Sequence, residues 1–194
     1  MEKVMIGKVP AAMCPTVIAG AMVNGKPNYN TLGCFGLITP QPPTVYIKSI
    51  KPHYTNLGIR ETGYYSVNFP SPALVRKTDY LGLVSGKDVD KSTVFKSFFG
   101  SVDKAPMIEE CPVNMLCKVI QTVEIPSQPL CEIFIGEIEE TYVNQDCIAN
   151  GKPDMAKLWP LVMHGLQYWE ITGRPVGTPW SEGKALIKNE VIAK

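Results

Sequence analysis

Two short stretches of the sequence carry side chains that suit a small ligand. The first runs from Lys48 to Thr55, where an apolar run ends among Lys48, Lys51 and His53. The start of a helix presents unpaired N–H groups and a partial positive charge, and Thr55 would add a hydroxyl donor there. The stretch therefore predicts a site for a phosphate monoester. The alternative is that Thr55 only caps the helix and the lysines are solvated.

The second stretch, Asn28–Gly36, reads Asn-Tyr-Asn-Thr-Leu-Gly-Cys-Phe-Gly and has no charged residue. Its amides, hydroxyls and glycine backbone suit a planar, polar heteroaromatic ring that lies against them and forms hydrogen bonds at its edge. The alternative is an ordinary surface loop rich in Gly and Asn.

The elements around these stretches are predicted from apolar patterning and turn residues. An apolar run over Thr16–Val23 ends at Asn24-Gly25, which is typical of a tight hairpin turn. The segment Thr44–Ile50 alternates as a half-buried strand does. A short helix is expected between the polar residues at 53–56 and Gly63. One face of the strand Thr44–Ile50 is predicted to carry Val45, Ile47 and Ser49, and the other Tyr46, Lys48 and Ile50.

Most of the remaining chain also favours β-structure. Strands are expected over Tyr64–Phe69, Val113–Glu124, Glu132–Val143 and Leu166–Ile171, whereas Ser71–Phe99 is expected to be helical or irregular. The 17 Pro and 16 Gly are spread along the chain and argue against a helical bundle. We expect a mainly β fold, a β-barrel with peripheral helices, as a single domain over residues 1–194.

Composition excludes several classes of partner. The net charge of +1 gives no broad basic surface for nucleic acid or an anionic membrane. The longest uncharged stretch, Pro27–Ile47, is interrupted by prolines and amides and is not expected to be a transmembrane helix. Charges and prolines near the N-terminus do not fit a secretory signal, so a cytoplasmic location is expected.

Several catalytic and metal motifs are absent from the sequence. It has no G-x-G-x-x-G and no G-x-S-x-G, and Ser85–Asp88 lacks the first Gly and the Ser/Thr of a phosphate-binding loop. Six cysteines without a C-x-x-C pair and only two histidines do not predict a zinc site. The cysteines are expected to be free thiols.

The order of these motifs resembles that of the flavin reductase-like family with the FMN-binding split-barrel fold, most closely its flavoredoxin branch. The resemblance spans about Pro10 to Gly183. It is carried by Asn24–Asn28 running into Asn30–Gly33, Pro42-Pro43 before Val45–Ile50, His53-Tyr54-Thr55, Tyr65–Pro70, Ser85-Gly86 before Asp90-Lys91, Ala105-Pro106 with Glu110–Pro112, Cys117–Val119 and Gly136–Ile138.

This resemblance implies a homodimer with FMN in a groove close to the subunit interface. By position, the residues that would line the isoalloxazine ring are Asn28, Asn30, Thr31, Cys34 and Phe35. Those that would hold the ribityl phosphate are Ser49, Lys51 and Thr55, while Lys91 would contact the phosphate or the pyrimidine edge of the ring.

Two cysteines depart from the pattern that the resemblance implies. Flavoredoxin-like members commonly have Trp at the position of Cys34, and many have His at the position of Cys131. A thiol at either position would be redox-active beside a flavin, or a small buried apolar side chain.

The function implied is that of an FMN-binding oxidoreductase that passes electrons from reduced nicotinamide or a redox protein to an acceptor. NADH or NADPH would be a transient donor, and no catalytic acid or base is evident. The alternatives are a non-catalytic FMN-binding electron carrier or flavin-binding module, and a barrel that binds another ligand. The mean hydropathy of +0.01 and the apolar run Leu158–Met163 also suggest a dimer.

Overall fold

The computed structural model describes residues 2–158, 160–171, 174–182 and 184. Most of the regular structure in them is antiparallel sheet. The strands are β1 (Cys14–Pro15), β2 (Val17–Val23), β3 (Lys26–Leu32), β4 (Phe35–Pro40), β5 (Pro43–Ile50), β6 (Tyr64–Phe69), β7 (Ser97–Phe98), β8 (Met107–Ile108), β9 (Val113–Ile125), β10 (Gln128–Val143), β11 (Ile148–Ala149), β12 (Lys152–Pro153), β13 (Leu161–His164) and β14 (Gln167–Glu170). The α-helices are α1 (Thr55–Thr62), α2 (Val75–Leu83) and α3 (Met155–Leu158).

A seven-stranded antiparallel sheet in the order β3-β2-β6-β9-β10-β5-β4 forms the body of the molecule. Its two end strands, β3 and β4, follow one another in the chain but do not pair. Leu32 at one end and Phe35 at the other pack into the same apolar cluster as Phe134 of β10. Contact of both ends with one core requires the sheet to curl into an open barrel, which confirms the predicted mainly β class.

The hairpin predicted at Asn24-Gly25 joins β2 and β3. Both turn residues have positive φ, 51° at Asn24 and 75° at Gly25, and Val23 pairs with Lys26 across the turn. Two positive φ values are the geometry of a type I′ turn, which favours Asn-Gly because its twist matches that of the strands. The hairpin carries β3 back along β2 toward the start of α1.

Strand β5 has the predicted alternation. Val45, Ile47 and Ser49 are buried, while Tyr46 and Lys48 are half-buried on the other face. The inward face thus ends on a hydroxyl rather than on an apolar side chain, immediately before the turn into α1.

Helix α1 ends as predicted at Gly63, whose φ is 70° and whose N–H donates to the carbonyl of Ile59. Its start differs from the expected capping, because Tyr54 precedes the helix and no side chain caps it. Gly58 lies against β2, where an added Cβ would come within 2.0 Å of the Met22 carbonyl oxygen. This close packing fixes the start of α1 relative to the β2–β3 hairpin.

The alternative considered for Asn28–Gly36, a surface loop, does not hold for most of this stretch, which belongs to β3 and the start of β4. Asn has low strand propensity, but Asn28 and Asn30 are 4% and 7% exposed and form side-chain hydrogen bonds to residues at the start of α1. Tertiary contacts therefore override the local preference.

The run Leu158–Met163 is not the exposed apolar patch expected from the sequence. Leu158, Leu161 and Val162 are 7%, 3% and 2% exposed, and Leu158 packs with Val113 and Cys147. Residue 159 of this run lies outside the described residues. The run thus gives no support for a subunit interface.

The other predicted strands correspond to β6, β9, β10 and β14, with β10 beginning four residues earlier than expected. The segment 71–99 contains α2 and two 3₁₀ turns, Pro72–Leu74 and Lys91–Thr93. In the described part of the chain, no helix has both the length and the apolar character needed to cross a bilayer.

Candidate functional site

A polar cavity opens where β3, the start of α1 and the segment 82–91 meet. It has two adjoining lobes, a larger one of about 320 Å³ and a smaller one of about 220 Å³. Both lobes are lined by Tyr54, Gly86 and Lys91. Their combined extent suits a cofactor-sized ligand, since ligand pockets in proteins commonly span about 300–1,000 Å³.

Lys91 places a buried ammonium in the wall shared by the two lobes. The residue is 3% exposed, and its Nζ donates to the carbonyl oxygens of Tyr29 (3.0 Å) and Leu81 (2.7 Å). Among the described residues, no carboxylate lies within ion-pair distance of it. Burial lowers the pKa of Lys91 from its usual 10.5 to about 8. One N–H of the ammonium is left for a ligand that carries negative charge.

Asn28 and Thr55 form a fixed pair at the back of the cavity. The Asn28 side-chain nitrogen donates to the Thr55 hydroxyl oxygen at 2.7 Å, and both residues are almost fully buried. Because the Thr55 oxygen accepts this bond, its own proton is available to a ligand. Gly86 closes over the pair, and a Cβ there would lie 2.0 Å from the Asn28 side-chain oxygen.

A chain of buried hydrogen bonds leads from His53, in the wall of the smaller lobe, into the barrel. His53 Nδ1 lies 2.8 Å from both Asn30 Nδ2 and the Ser49 hydroxyl. The Ser49 hydroxyl donates to the Asn56 side-chain oxygen at 2.9 Å. The Asn56 side-chain nitrogen donates to Glu132 at 2.6 Å.

Glu132 ends this chain as a buried carboxylate on β10. It is 3% exposed, and Arg60 of α1 pairs with it at its outer side. Burial of a carboxylate requires such pairing and hydrogen bonding, because an isolated charge in the interior is costly. An ion pair and hydrogen bonds therefore connect the buried polar side chains between β5, β10 and α1 without a break, from Arg60 to His53.

His53 is held mainly in its neutral form. Burial is the largest cause that lowers its pKa, and the positive charges of Lys91 and Lys48 lower it further, against a smaller opposite effect of Glu132. At neutral pH the ring therefore has one N–H and one unprotonated nitrogen.

Of the ten residues predicted to bind the cofactor, the structure brings together four at the cavity: Asn28, Asn30, Thr55 and Lys91. Thr31 and Phe35 do not line either lobe. The Thr31 hydroxyl donates to the Thr78 carbonyl, and the Phe35 ring packs edge-on against Phe69 with centroids 5.2 Å apart.

Ser49 and Lys51, predicted to contact a phosphate, lie elsewhere. The Ser49 hydroxyl is 2% exposed and is held between His53 and Asn56 beneath the cavity wall. Lys51 Nζ is 2.7 Å from Glu124 on β9. At the start of α1, Thr55 remains as the hydroxyl that faces the cavity.

Cys34 and Cys131 flank β5 on opposite sides and do not line the cavity lobes. The Cys34 carbonyl accepts from the Lys48 N–H, and Cys131 pairs with Ile50 in the β5–β10 ladder. Both cysteines are half-buried free thiols. Of the other four free cysteines, Cys14 is also half-buried, and Cys111, Cys117 and Cys147 are buried. Within the described residues, no group of His, Cys, Asp and Glu is arranged to hold a metal ion.

Sequence reasoning missed three contributors to this site: Tyr54, Gly86 as a steric seal, and the carboxylate of Glu132. Glu132 did carry a signal. It precedes Phe134 by two residues in the apolar stretch Leu130–Gly136 of β10, so the alternation that buries Phe134 also buries Glu132.

Comparison with known proteins identifies relatives over nearly the whole chain. The family model described as "Flavin reductase like domain" matches residues 12–172. The structure is similar to that of a flavoredoxin from Methanosarcina acetivorans, with 40% identity, a TM-score of 0.88 and coverage of 96% of this chain and 100% of the other. It is also similar to a flavoredoxin of Desulfovibrio vulgaris (Miyazaki F), with 28% identity, a TM-score of 0.83 and coverage of 94% and 100%.

A more distant likeness concerns the fold alone. A protein from Shewanella frigidimarina described as a flavin reductase with a split barrel domain has 18% identity, a TM-score of 0.78 and coverage of 87% of each chain. Together with the unpaired β3 and β4 strands, this likeness confirms the split barrel expected from the sequence.

Proposed function

Because the chain belongs to the flavin reductase-like domain family, we propose that its polar cavity binds FMN and that the protein is an oxidoreductase. It would pass electrons from reduced nicotinamide, or from a redox partner protein, to an acceptor. The observation that carries this proposal is the buried ammonium of Lys91, a residue that lines both lobes of the cavity and has no carboxylate partner among the described residues.

The residues present suit a flavin. The smaller lobe presents the Asn30 amide, the Thr55 hydroxyl and the Lys91 cation, and no carboxylate lies within ion-pair distance of Lys91 in the described chain. The larger lobe adds Asn28 and the charged residues Lys26, Lys87, Asp88 and Asp90. Lys26, at the rim, is already neutralised by Asp90 at 3.0 Å. The smaller lobe, with one cation among neutral polar groups, suits a polar ligand that carries local negative charge.

Three groups of this chain would act on the cofactor. Lys91 would donate a hydrogen bond and stabilise negative charge that develops on reduction, which raises the tendency to accept electrons. Thr55 would donate a hydrogen bond from its hydroxyl group to the cofactor, and Asn28 would hold that hydroxyl in place. When bound, FMN supplies the hydride and electron chemistry, and the protein supplies orientation and electrostatics.

We also propose that the protein works as a homodimer in the cytoplasm and as a single domain over residues 1–194. Support for an interface comes from exposed apolar side chains in the N-terminal segment, among them Val4, Met5 and Met13 at 80%, 88% and 68%. Exposed apolar surface of this kind is typical of protein contacts. Light scattering coupled to size-exclusion chromatography measures the mass, and a monomer at micromolar concentration would refute the dimer.

The first experiment is the visible absorbance spectrum of the purified protein, followed by heat denaturation and chromatography of any released flavin. Released FMN, or tight binding of added FMN by colourless protein, is the expected result. Protein that neither carries nor binds FMN would overturn the proposed function.

A second measurement separates an enzyme from a flavin-binding electron carrier. NADH or NADPH is added anaerobically to the FMN-bound protein, and the flavin absorbance near its visible maximum is followed. Rapid bleaching supports the reductase, whereas FMN that stays oxidised with both nicotinamides supports the electron carrier.

Lys91→Met should weaken FMN binding at least tenfold, and Lys118→Met, at an exposed position on β9, is the matched control.

A further inference from the structure

The outer face of strands β5 and β10 is apolar but only half-buried. Tyr46 lies opposite Ile135, and Lys48 lies opposite Ile133. All four side chains remain partly exposed, whereas Phe134, on the inner face of β10, is 1% exposed. Among the described residues, α1 packs mainly against β2, α2 against β3, and α3 beside the 3₁₀ turn that precedes β11. The helices therefore pack on other parts of the barrel than this face.

The same outer surface continues onto the neighbouring strands. On β9, the half-buried Val123 lies opposite Ile133. On β4, Gly36 lies opposite Tyr46, and a Cβ at Gly36 would come within 2.5 Å of the Tyr46 ring. Strands lie about 4.8 Å apart, so this surface, four strands wide, extends over about 14 Å. Exposed apolar surface of this kind is typical of a protein interface.

Two charged side chains on this face have no ion-pair partner. Lys48 and Glu137 are both half-buried, and neither forms a salt bridge in the described part of the chain. Lys118, opposite Glu137 on β9, is exposed and lies beyond ion-pair distance of it. The face thus presents an unpaired cation at Lys48 and an unpaired anion at Glu137.

Lys48 and Glu137 stand at opposite ends of an apolar stripe formed by Ile133, Ile135 and Tyr46. Lys48 lies opposite Ile133, and Glu137 lies four residues further along β10, so about 13 Å separates them along the strands. The pair formed by Tyr46 and Ile135 lies midway between them. The two charges are therefore too far apart to pair within one molecule.

A two-fold axis brings these charges together in a pair of molecules. If two outer faces pack about an axis that crosses the strands at Tyr46 and Ile135, Lys48 of each copy lies opposite the partner's Glu137. The ion pair then forms twice, which is the self-complementarity of an isologous interface. Stacked sheets lie about 10 Å apart, a gap that a Lys and a Glu side chain can span together. An orientation that places Lys48 against apolar side chains would instead bury an unpaired charge, which is costly.

We propose that the outer face of β5 and β10 binds a second copy of this chain, with Tyr46 and Ile135 at the two-fold axis and Lys48 paired with the partner's Glu137. This inference rests on the homodimer of the proposed function and names the face and the ion pair that form it. The apolar stripe supplies buried area, and the ion pair sets the relative orientation of the two copies.

The test measures the dimer dissociation constant by sedimentation equilibrium in the wild type and in charge-reversed variants. Lys48→Glu and Glu137→Lys each place like charges opposite one another and should weaken the dimer at least tenfold. The combined variant Lys48→Glu/Glu137→Lys restores opposite charges and should dimerise within about threefold of the wild type. Since the two positions cannot pair within one molecule, this recovery can arise only across the interface. Lys152→Glu, at an exposed position on β12, is the matched control and should leave the constant unchanged.

Ile135→Glu tests the apolar centre of the interface. It brings a carboxylate of each copy to the two-fold axis and should leave a folded monomer at micromolar concentration, with the far-UV circular dichroism of the wild type. A dimer that persists in Ile135→Glu, or a combined variant no tighter than the single variants, would overturn the inference and place the interface of the homodimer elsewhere. A monomeric wild type would instead refute the proposed homodimer, and this inference with it.

Discussion

The Nζ of Lys91 lies 2.7 Å from the carbonyl oxygen of Leu81, at the end of α2. A second carbonyl, that of Tyr29 on β3, is 3.0 Å away. The ammonium therefore ties α2 to the sheet through neutral acceptors rather than through a carboxylate. Neutral acceptors compensate a buried charge only in part, so the free protein keeps this cation at a cost in stability. An anionic or electron-rich ligand would offset that cost.

Lys91→Met should change how stability depends on pH. The pKa of Lys91 is about 8 in the folded state against 10.5 when unfolded. Between these values the unfolded chain binds a proton that the folded chain does not, so folding becomes more favourable as the pH rises. Relative to Lys91→Met, the wild-type free energy of unfolding should therefore increase by about 3 kcal/mol from pH 8 to pH 10.5.

Denaturant unfolding of the two apoproteins at several pH values measures this difference. Subtraction of the variant removes the opposite contribution of Cys111 and Cys117, whose pKa values are raised by burial and which favour folding less as the pH rises. A difference that stays flat across this range would mean that the Lys91 ammonium is solvated in the folded protein.

Gly86→Ala should displace Asn28 and weaken FMN binding at least tenfold. A Cβ at Gly86 would lie 2.0 Å from the Asn28 side-chain oxygen and 2.6 Å from the Tyr54 ring. The Asn28 bond to Thr55 would then be lost. The measurement is the FMN dissociation constant by fluorescence quenching.

The control for Gly86→Ala is the same substitution in an Asn28→Ala background. If displacement of Asn28 is the cause, the second substitution should add less than about 0.5 kcal/mol, because the two changes remove the same contact. Full additivity of the two effects would contradict this explanation.

The fold was predictable wherever local patterning and tertiary structure agree. Local sequence patterns predict three features correctly: the Asn-Gly turn, the alternation of β5 and the end of α1 at Gly63. Strand β3 was not predictable in the same way. Its Asn28 and Asn30 have low strand propensity and are stabilised by partners 27 and 23 residues away.

The site was predictable in part for the same reason. Residue type and the family resemblance pointed to Thr55 and Lys91, which the structure places at the cavity. Ser49 has the right chemistry for a phosphate contact, but the alternation of β5 turns it inward. Its true neighbours, His53 and Asn56, lie on the other side of the turn, and only the closed barrel brings Glu132 to them.

Gly136→Ala should destabilise the barrel by about 1–3 kcal/mol, as overpacking of a filled core does. A Cβ at Gly136 would lie 2.6 Å from the Tyr65 hydroxyl oxygen and 2.8 Å from its ring. The Tyr65 hydroxyl is buried and has no oxygen or nitrogen partner among the described residues.

Tyr65→Phe is the matched variant for Gly136→Ala, because it removes the atom nearest to the added methyl group. The single Tyr65→Phe change should be close to neutral, and it should recover part of the stability lost in Gly136→Ala. Thermal unfolding of all four proteins measures the coupling. Equal destabilisation by Gly136→Ala in both backgrounds would show that the Tyr65 hydroxyl is not the obstacle.

Alkylation of the cysteines tests whether the flavin ring reaches the strands around β5. Cys111 and Cys117 are fully buried, and burial raises their pKa values, so they should react with iodoacetamide only after unfolding. Cys14, Cys34 and Cys131 are half-buried and should react in the native protein. Mass spectrometry of the digested protein gives the rate at each position.

Saturating FMN should slow alkylation of Cys34 and Cys131 at least fivefold, and Cys14 on β1 serves as the internal reference. The family resemblance places the isoalloxazine ring beside these two thiols, whereas Lys91, in the cavity, would contact the phosphate or the pyrimidine edge of the ring. Protection of neither cysteine by bound FMN would confine the ring to the cavity and remove Cys34 and Cys131 from the site.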